Sequence, residues 1–398
     1  MCQICGVIAE YNPFHNGHLE HLQALRQITG ANYIVAIMSG NFVQRGEPAI
    51  IDKFKRTQAA LLCGADIVLE LPAPYATASA EAFASGACLA LAATNMVDSL
   101  CFGSESGDIN ELLPVAEFFC NEKAIFKQSL RDKLAQGVSF AHARAYAAEI
   151  IKPDFAKIIS SPNNILAVEY LKAIIKYSLP LKPYTIKRQG AGHDSLDFLA
   201  ESASASAIRK HVFSGGSFDK LNALMPAKSL EILRDEYILG AINQACNLSP
   251  FLHYSLKTNT KNIWGLPESL YTRIVSAADE FYPISEIINT AKAKNHTHSS
   301  IRRAVLHIIL GINAEDSRAK IPYLRILGFS KNSAKIVGEL HKRAQIPVIT
   351  NLKNTKNLPP NAKNFLNIEL RATEIYWLGL KAKGLAARNE KRTPMVII

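Results

Sequence analysis

The sequence predicts an α/β protein: a Rossmann-like parallel sheet followed by a mostly α-helical C-terminal region. Three observations carry this expectation. Short apolar runs alternate with helix-length segments over the first two hundred residues, polar glycine-containing stretches follow those runs, and strand-like runs fade beyond about Phe213. Such alternation favours parallel strands joined by crossover helices. A length of 398 residues leaves room for more than one core. We expect one unit over residues 1–215 and a second over 216–398.

In order, Ile4 to Ala9 reads as the first strand and Gly17 to Gln27 as a helix. Tyr33 to Met38 is the second strand and Lys53 to Cys63 a helix. Ile67 to Leu71 is a third strand, Ala78 to Ala93 an alanine-rich helix, and Ser99 to Phe102 a fourth strand. A helical, mixed-charge stretch covers Ile109 to Ile151. A loop and helix follow in "ISSPNNILAVEYLKAI", then a fifth strand at Tyr184 to Lys187. Amphipathic helices are expected at Ser229 to Leu239, Ser269 to Phe281, Ser299 to Leu310 and Ala334 to Ala344. Asn351 to Asn364, polar and proline-containing, reads as a loop before a final helix.

Charge is unevenly placed. The chain carries 45 Lys and Arg against 34 Asp and Glu; from Ala291 to Ile398 the count is 20 basic against 6 acidic, and before that 25 against 28. A basic excess confined to one region points to a polyanionic partner. Seven cysteines at irregular spacing make neither a disulfide framework nor a zinc site, so they read as reduced and structural. No apolar run approaches the roughly 18 residues of a membrane span, and the sequence points to no membrane or protein partner. The expected location is cytoplasmic.

A doubly wound sheet binds ligands at the carboxyl ends of its strands. Four informative stretches follow strands: Glu10 to His18, Ser39 to Gln44, Gly103 to Glu105, and Arg188 to Gly190. In the first, His15, Asn16, Gly17 and His18 form H-x-G-H where strand turns into helix. Gly17 admits close approach of a ligand, the helix start offers unpaired N–H groups, and two imidazoles three residues apart share one side of the turn. They suit a phosphate oxygen that gains charge as pyrophosphate leaves. In "ESASASAIR", Ser204, Ser206 and Arg209 offer hydroxyls and a guanidinium at a helix start, a second phosphate clamp. No protein metal site is expected, and Mg²⁺ would be held through the oxygens of a bound phosphate ligand.

H-x-G-H resembles the signature of the HIGH-motif nucleotidylyltransferase superfamily, and "SASAIR" resembles its S-x-x-x-I-R stretch. "GVIAEYNPFHNGHLEHL", "AIMSGNFVQRGEPAIIDKFKRTQAALLCGADIVLELP", "CFGSESGD", "SPNNILAVEYLKAI", "IKRQGAGHD" and "SASAIR", in this order, resemble the bacterial tRNA(Met) cytidine acetate ligase family. "HTHSSIRRAVLHIILGI" and "PYLRILGF" extend the likeness more loosely.

The resemblance implies a nucleotidyltransferase domain that activates acetate with ATP to acetyladenylate and acetylates N4 of the wobble cytidine of elongator tRNA(Met). It implies an ATP site comprising Val7, Ile8, Ala9, Glu10, Tyr11, Asn12, Pro13, Phe14, His15, Asn16, Gly17, His18, Leu19 and Glu20, with Gly103, Asn163 and Arg188. Asn164 could exchange roles with Asn163. His15 and His18 are the candidate catalytic pair. Gln44 or Arg45 could meet acetate or a phosphate, with Asp52, Lys53 and Arg56 at the same mouth. Arg302, Arg303, Lys342 and Arg343 are the candidate tRNA contacts, alongside Lys292, Lys294, Lys381, Lys383, Lys391 and Arg392. Two other readings stand beside this one: an adenylyltransferase acting on a small metabolite, and an RNA-binding protein with a vestigial ATP site.

Overall fold

The computed structural model describes residues 3–188, 203–258, 262–318, 320–380 and 389–398. Ten strands occur among them, in chain order β1 (Ile4–Ala9), β2 (Tyr33–Ser39), β3 (Phe42–Val43), β4 (Glu47–Pro48), β5 (Ile67–Leu71), β6 (Ser99–Ser104), β7 (Lys182–Lys187), β8 (Leu324–Phe329), β9 (Val348–Ile349) and β10 (Val396–Ile397). The main sheet runs β10-β8-β5-β2-β1-β6-β7, with β9 paired to β8. The five expected strands are mutually parallel neighbours. From β1 the chain steps outward through β2 to β5, then returns to lay β6 on the other side of β1. That reversal opens a crevice beyond the carboxyl ends of β1 and β6.

The apolar runs make strands because both sheet faces are covered. Ile34, Ala36 and Met38 enter one core while Val35 and Ile37 enter the other, the period-two alternation of a strand. One core includes the helices Ala80–Ala93, Ile109–Cys120 and Pro162–Lys176. The opposite core gathers Asn16–Thr29, Lys53–Leu62, Ala205–Phe213 and Ala227–Ile238. A third cluster joins the helices Ser249–Thr258, Glu268–Glu280, Ile284–Ala291, His298–Leu310 and Pro360–Leu378, and takes in Phe42 and Ala73.

Two elements are not separated by the sequence pattern. The C-terminal region is mostly helical but not wholly so: β8 returns to the sheet antiparallel to β5 and brings β9 and β10 with it. The segment "LRILGF" is apolar throughout, so periodicity alone does not separate a strand from a buried helix turn. The final helix starts at Pro360, inside the stretch read as a loop, because proline suits a first helical turn.

Candidate active site

The helix Asn16–Thr29 starts at the crevice, and two histidines close its first turn. His15 is the N-cap in extended conformation (φ −137°, ψ 175°), and its ring Nδ1 accepts a hydrogen bond from the Gly17 N–H at 3.1 Å. The His15 N–H in turn donates to His18 Nδ1 at 3.2 Å. This is a capping box built from two imidazoles rather than a hydroxyl and a carboxylate. A ring nitrogen that accepts from an N–H carries no proton, so each neutral ring holds its proton on Nε2. The ring centroids lie 3.9 Å apart at 32°, with Tyr11 and Phe14 at 5.0 and 5.4 Å from His18. The arrangement supplies two oriented Nε2–H donors at the positive end of a helix, a setting for an anion.

Gly17 suits the same geometry, since a Cβ there would stand a tight 3.1 Å from His15 Cε1. The turn is braced from behind. Asn16 donates through its backbone N–H to the Leu224 carbonyl at 3.0 Å and through Nδ2 to Ala223 at 2.8 Å, while Ser229 Oγ donates to the Phe14 carbonyl at 2.8 Å. Within the loop, Val7, Tyr11 and Phe14 have side chains in the core, leaving their backbone for a nucleotide. Asn12 is buried and accepts from the Ile50 N–H at 2.8 Å, beside the buried Pro13. Ile8, Ala9, Glu10, Asn16 and Leu19 are half-buried, and Gly17 and Glu20 are exposed.

The second clamp reaches this loop. Ser204 caps the helix Ala205–Phe213, accepting from the Ala207 N–H at 3.1 Å. Arg209 donates to the Asn12 carbonyl at 2.7 Å and to Ser206 Oγ at 3.2 Å. Burial draws Arg209 below the usual arginine range; Glu47 and Glu10 act against that, and Arg45 and Arg302 add to it. The three guanidiniums therefore share one neighbourhood.

The opposite wall is Gly103, Arg188 and Asn163. A Cβ on Gly103 would meet Arg188 Cγ at 3.0 Å, so the arginine chain lies across the glycine. Arg188 Nη1 donates to Asn163 Oδ1 at 3.1 Å. The two asparagines have different partners: Asn164 Oδ1 accepts from the N–H groups of Glu105 and Ser106 at 3.0 and 3.1 Å, while Asn163 Nδ2 donates to Glu105 Oε1 at 2.7 Å. Glu105 also accepts from the backbone N–H groups of Asn163 and Asn164 at 3.2 and 2.7 Å, neutralising the start of the helix Pro162–Lys176. The segment beyond Arg188, including Gly190, lies outside the described residues.

The loop after β2 folds into the β3–β4 hairpin over the crevice. The Gln44 N–H donates to Glu10 Oε1 at 2.8 Å and Gln44 Nε2 to the Ala78 carbonyl at 3.1 Å. Gly46, at φ +77°, turns the hairpin so tightly against the helix His298–Leu310 that a Cβ would lie 2.6 Å from Arg302 C. Asp52 caps the helix Lys53–Leu62 through the Phe54 and Lys55 N–H groups at 2.7 and 3.0 Å. Arg56 is wholly buried and serves as a backbone clasp: it donates to the carbonyls of Glu10 at 2.6 Å, Ser39 at 3.1 Å, Ile51 at 3.2 Å and Gly40, tying the ends of β1 and β2.

Lys53 lies in a buried charge cluster. Its Nζ meets Glu70 at 2.6 Å, Glu390 at 2.5 Å and Glu369 at 3.1 Å, and Arg325 bonds Glu70 at 3.0 Å and also Glu390. Burial opposes the Lys53 charge, but the three carboxylates outweigh it and hold the ammonium above the usual lysine range. Glu369 is pushed up to about 8 by burial and by Glu70. Glu390 falls to about 2, because Lys53 and Arg325 overcome its burial.

Of the basic residues expected at RNA, Arg302 is half-buried and paired with Glu47 at 2.6 Å, and Arg303 is half-buried beside it. Lys342 and Arg343 are exposed, both near Glu339 at 2.9 and 3.4 Å. Lys292, Lys294, Lys391 and Arg392 are exposed, and Lys381 and Lys383 lie outside the described residues. Sequence reasoning missed His21, one turn past His18. Among the described residues its Nε2 is enclosed without a hydrogen-bond partner, and burial, aided by Arg188, pushes the ring down to about 4. The three-residue spacing His15, His18, His21 was the available signal.

The family model described as HIGH Nucleotidyl Transferase matches residues 2–391. The tRNA(Met) cytidine acetate ligase of Thermoanaerobacter sp. (strain X514) is 40% identical over 391 residues, covering 96% of this chain and 97% of its own. That of Clostridium tetani (strain Massachusetts / E88) is 37% identical over 394 residues, covering 94% and 95%. Among solved structures, Thermotoga maritima TmcAL bound with alpha-thio ATP superposes with a TM-score of 0.91 at 32% identity, covering 100% of this chain and 99% of that one. Its apo form gives 0.92 at 33% identity with the same coverage.

Proposed function

The chain belongs to the HIGH nucleotidyl transferase family, among the tRNA(Met) cytidine acetate ligases, and on that premise we propose how its residues divide the work. It is an ATP-dependent ligase that joins acetate to N4 of the wobble cytidine of elongator tRNA(Met) through acetyladenylate. The observation that supports the assignment of roles is the double-histidine cap, which sets two imidazoles, each held at Nδ1, on a helix N-terminus beyond the end of β1.

In the first step a carboxylate oxygen of acetate attacks the α-phosphorus of ATP and pyrophosphate departs. His15 and His18 donate to oxygens that gain charge, and Arg209 with Ser204 and Ser206 holds the leaving group. Gly103, Arg188 and Asn163 form the adenosine side of the crevice. Mg²⁺ brought in with ATP would offset the charge of the triphosphate. In the second step the cytosine leaves its stack so that N4 can attack the acetyl carbonyl. No covalent enzyme intermediate is required.

Residues 1–215 carry the activation chemistry and 216–398 the RNA surface, with Arg302 and Arg303 near the mouth and Lys342 and Arg343 further out on exposed ground. We locate the enzyme in the cytoplasm, where tRNA and ATP are both available. Among the described residues no helix is long and apolar enough to cross a membrane. The test is incubation with ATP, Mg²⁺ and labelled acetate, with and without elongator tRNA(Met), followed by nucleoside analysis. Label on cytidine only in the complete mixture is the expected result. Efficient adenylylation of a small acceptor without RNA would overturn it.

A further inference from the structure

The second step requires a base. The cytosine amino lone pair is delocalised into its ring, so N4 becomes an acyl acceptor only as it loses a proton. The histidine pair is poorly placed to take one: both Nδ1 atoms accept backbone N–H bonds, which leaves the protons on Nε2. The other carboxylates around the crevice are committed. Glu105 caps the helix Pro162–Lys176, Asp52 caps Lys53–Leu62, Glu47 is paired with Arg302 at 2.6 Å, and Glu20 stands in open solvent.

We propose that Glu10 is the general base of acetyl transfer, a role that rests on the ligase reading above. It is the first residue beyond β1, at the point where the strand order reverses. Two contacts fix its aim: its carbonyl accepts from Arg56 Nη1 at 2.6 Å and its Oε1 from the Gln44 N–H at 2.8 Å. Oε2 has no donor among the described residues. The charged and titratable groups around it come from four elements: Arg45 from the hairpin turn, Arg56 from Lys53–Leu62, Arg209 from Ala205–Phe213, and Tyr170 from Pro162–Lys176. Burial lifts Glu10 above the usual carboxylate range, which makes it a stronger base than an exposed glutamate; the Gln44 N–H and the three arginines oppose the lift. The same cations offset the repulsion that acetate would otherwise meet there.

The step balances without another reactant. N4 bonds to the acetyl carbon, the bond from that carbon to the adenylate oxygen breaks, and its electron pair leaves with AMP. The N4 proton passes to Glu10 Oε2 and then to solvent.

Glu10→Gln separates this role from a structural one, because the amide oxygen still accepts from Gln44 while basicity is lost. Two rates are read: acetate-dependent pyrophosphate exchange into ATP, and single-turnover transfer from preformed acetyladenylate to tRNA from acid to alkaline pH. The expected result is transfer reduced about 10²- to 10⁴-fold, well beyond any change in exchange, with loss of the pH inflection in transfer and partial recovery in Glu10→Asp. Unchanged transfer would overturn the proposal. So would loss of exchange together with transfer at an unaltered melting temperature, which would put Glu10 in adenylation. If Glu10→Gln melts early, Glu10→Asp carries the test, and a flat wild-type pH profile rejects the role. Failure of the wild-type protein to label tRNA would instead sink the ligase reading itself.

Discussion

The His15 and His18 rings lie 3.9 Å apart, and each is pinned at Nδ1 by a backbone N–H of the same helical turn. Cap and proposed donor are therefore different atoms of one ring, and substitution can separate them. Asparagine is a good N-cap without an Nε2–H, so His15→Asn should melt close to wild type while pyrophosphate exchange falls about 10²- to 10³-fold. His15→Ala should lose about 1 kcal/mol of stability as well. Full exchange activity in His15→Asn would remove the imidazole from the chemistry.

The close approach of Arg188 to Gly103 predicts a binding phenotype. A Cβ added by Gly103→Val would stand 3.0 Å from Arg188 Cγ and displace the arginine chain, so KM for ATP should rise several-fold with a smaller change in kcat. ATP titration by calorimetry checks it, and unchanged affinity would show that this wall does not meet the nucleotide.

The buried cluster predicts opposite pH dependences from two neighbouring carboxyls. Glu369, raised to about 8, is protonated in the folded protein at mildly acid pH; its contribution is full below the unfolded carboxylate range and is lost as pH rises through about 8. Glu390, depressed to about 2, contributes above the unfolded range and loses that contribution as pH falls toward 2. Urea denaturation between pH 5 and pH 8 should show stability declining by up to about 1.4 kcal/mol per pH unit from Glu369. Glu369→Gln should flatten that slope. Lys53→Met, which leaves the carboxylates without their shared cation, should cost about 3–5 kcal/mol.

Lys342 and Arg343 are exposed, and their pairing with Glu339 is of the kind that contributes little to stability. Replacing both with alanine should weaken tRNA binding, lower the salt dependence by about one unit per lost phosphate contact, and leave pyrophosphate exchange intact. Filter binding over a salt series measures this. An unaltered slope would move the RNA surface elsewhere.

Local pattern exposed the five parallel strands and the H-x-G-H turn, because strand alternation, helix period and a glycine between two histidines are all written within about twenty residues of each other. Features assembled over long separations were not visible. Glu70 and Arg325 meet across 255 positions and Lys53 and Glu369 across 316, so nothing near "DKFKR" reveals that its lysine is a core residue and its arginine a clasp. The strand "LRILGF" is ambiguous for the same reason: its partner β5 lies far upstream. The choice between Asn163 and Asn164 depended on where Glu105 and Arg188 point, which spacing does not encode.

The distance between Lys53 and Glu369 also has a temporal meaning. A ribosome working at roughly 5–20 residues per second needs tens of seconds to span 316 positions. Early in synthesis Lys53 and Glu70 have each other, while their three remaining ion partners, Arg325, Glu369 and Glu390, are unmade. Closure of the charge cluster beneath the parallel sheet is thereby coupled to synthesis of the last part of the chain.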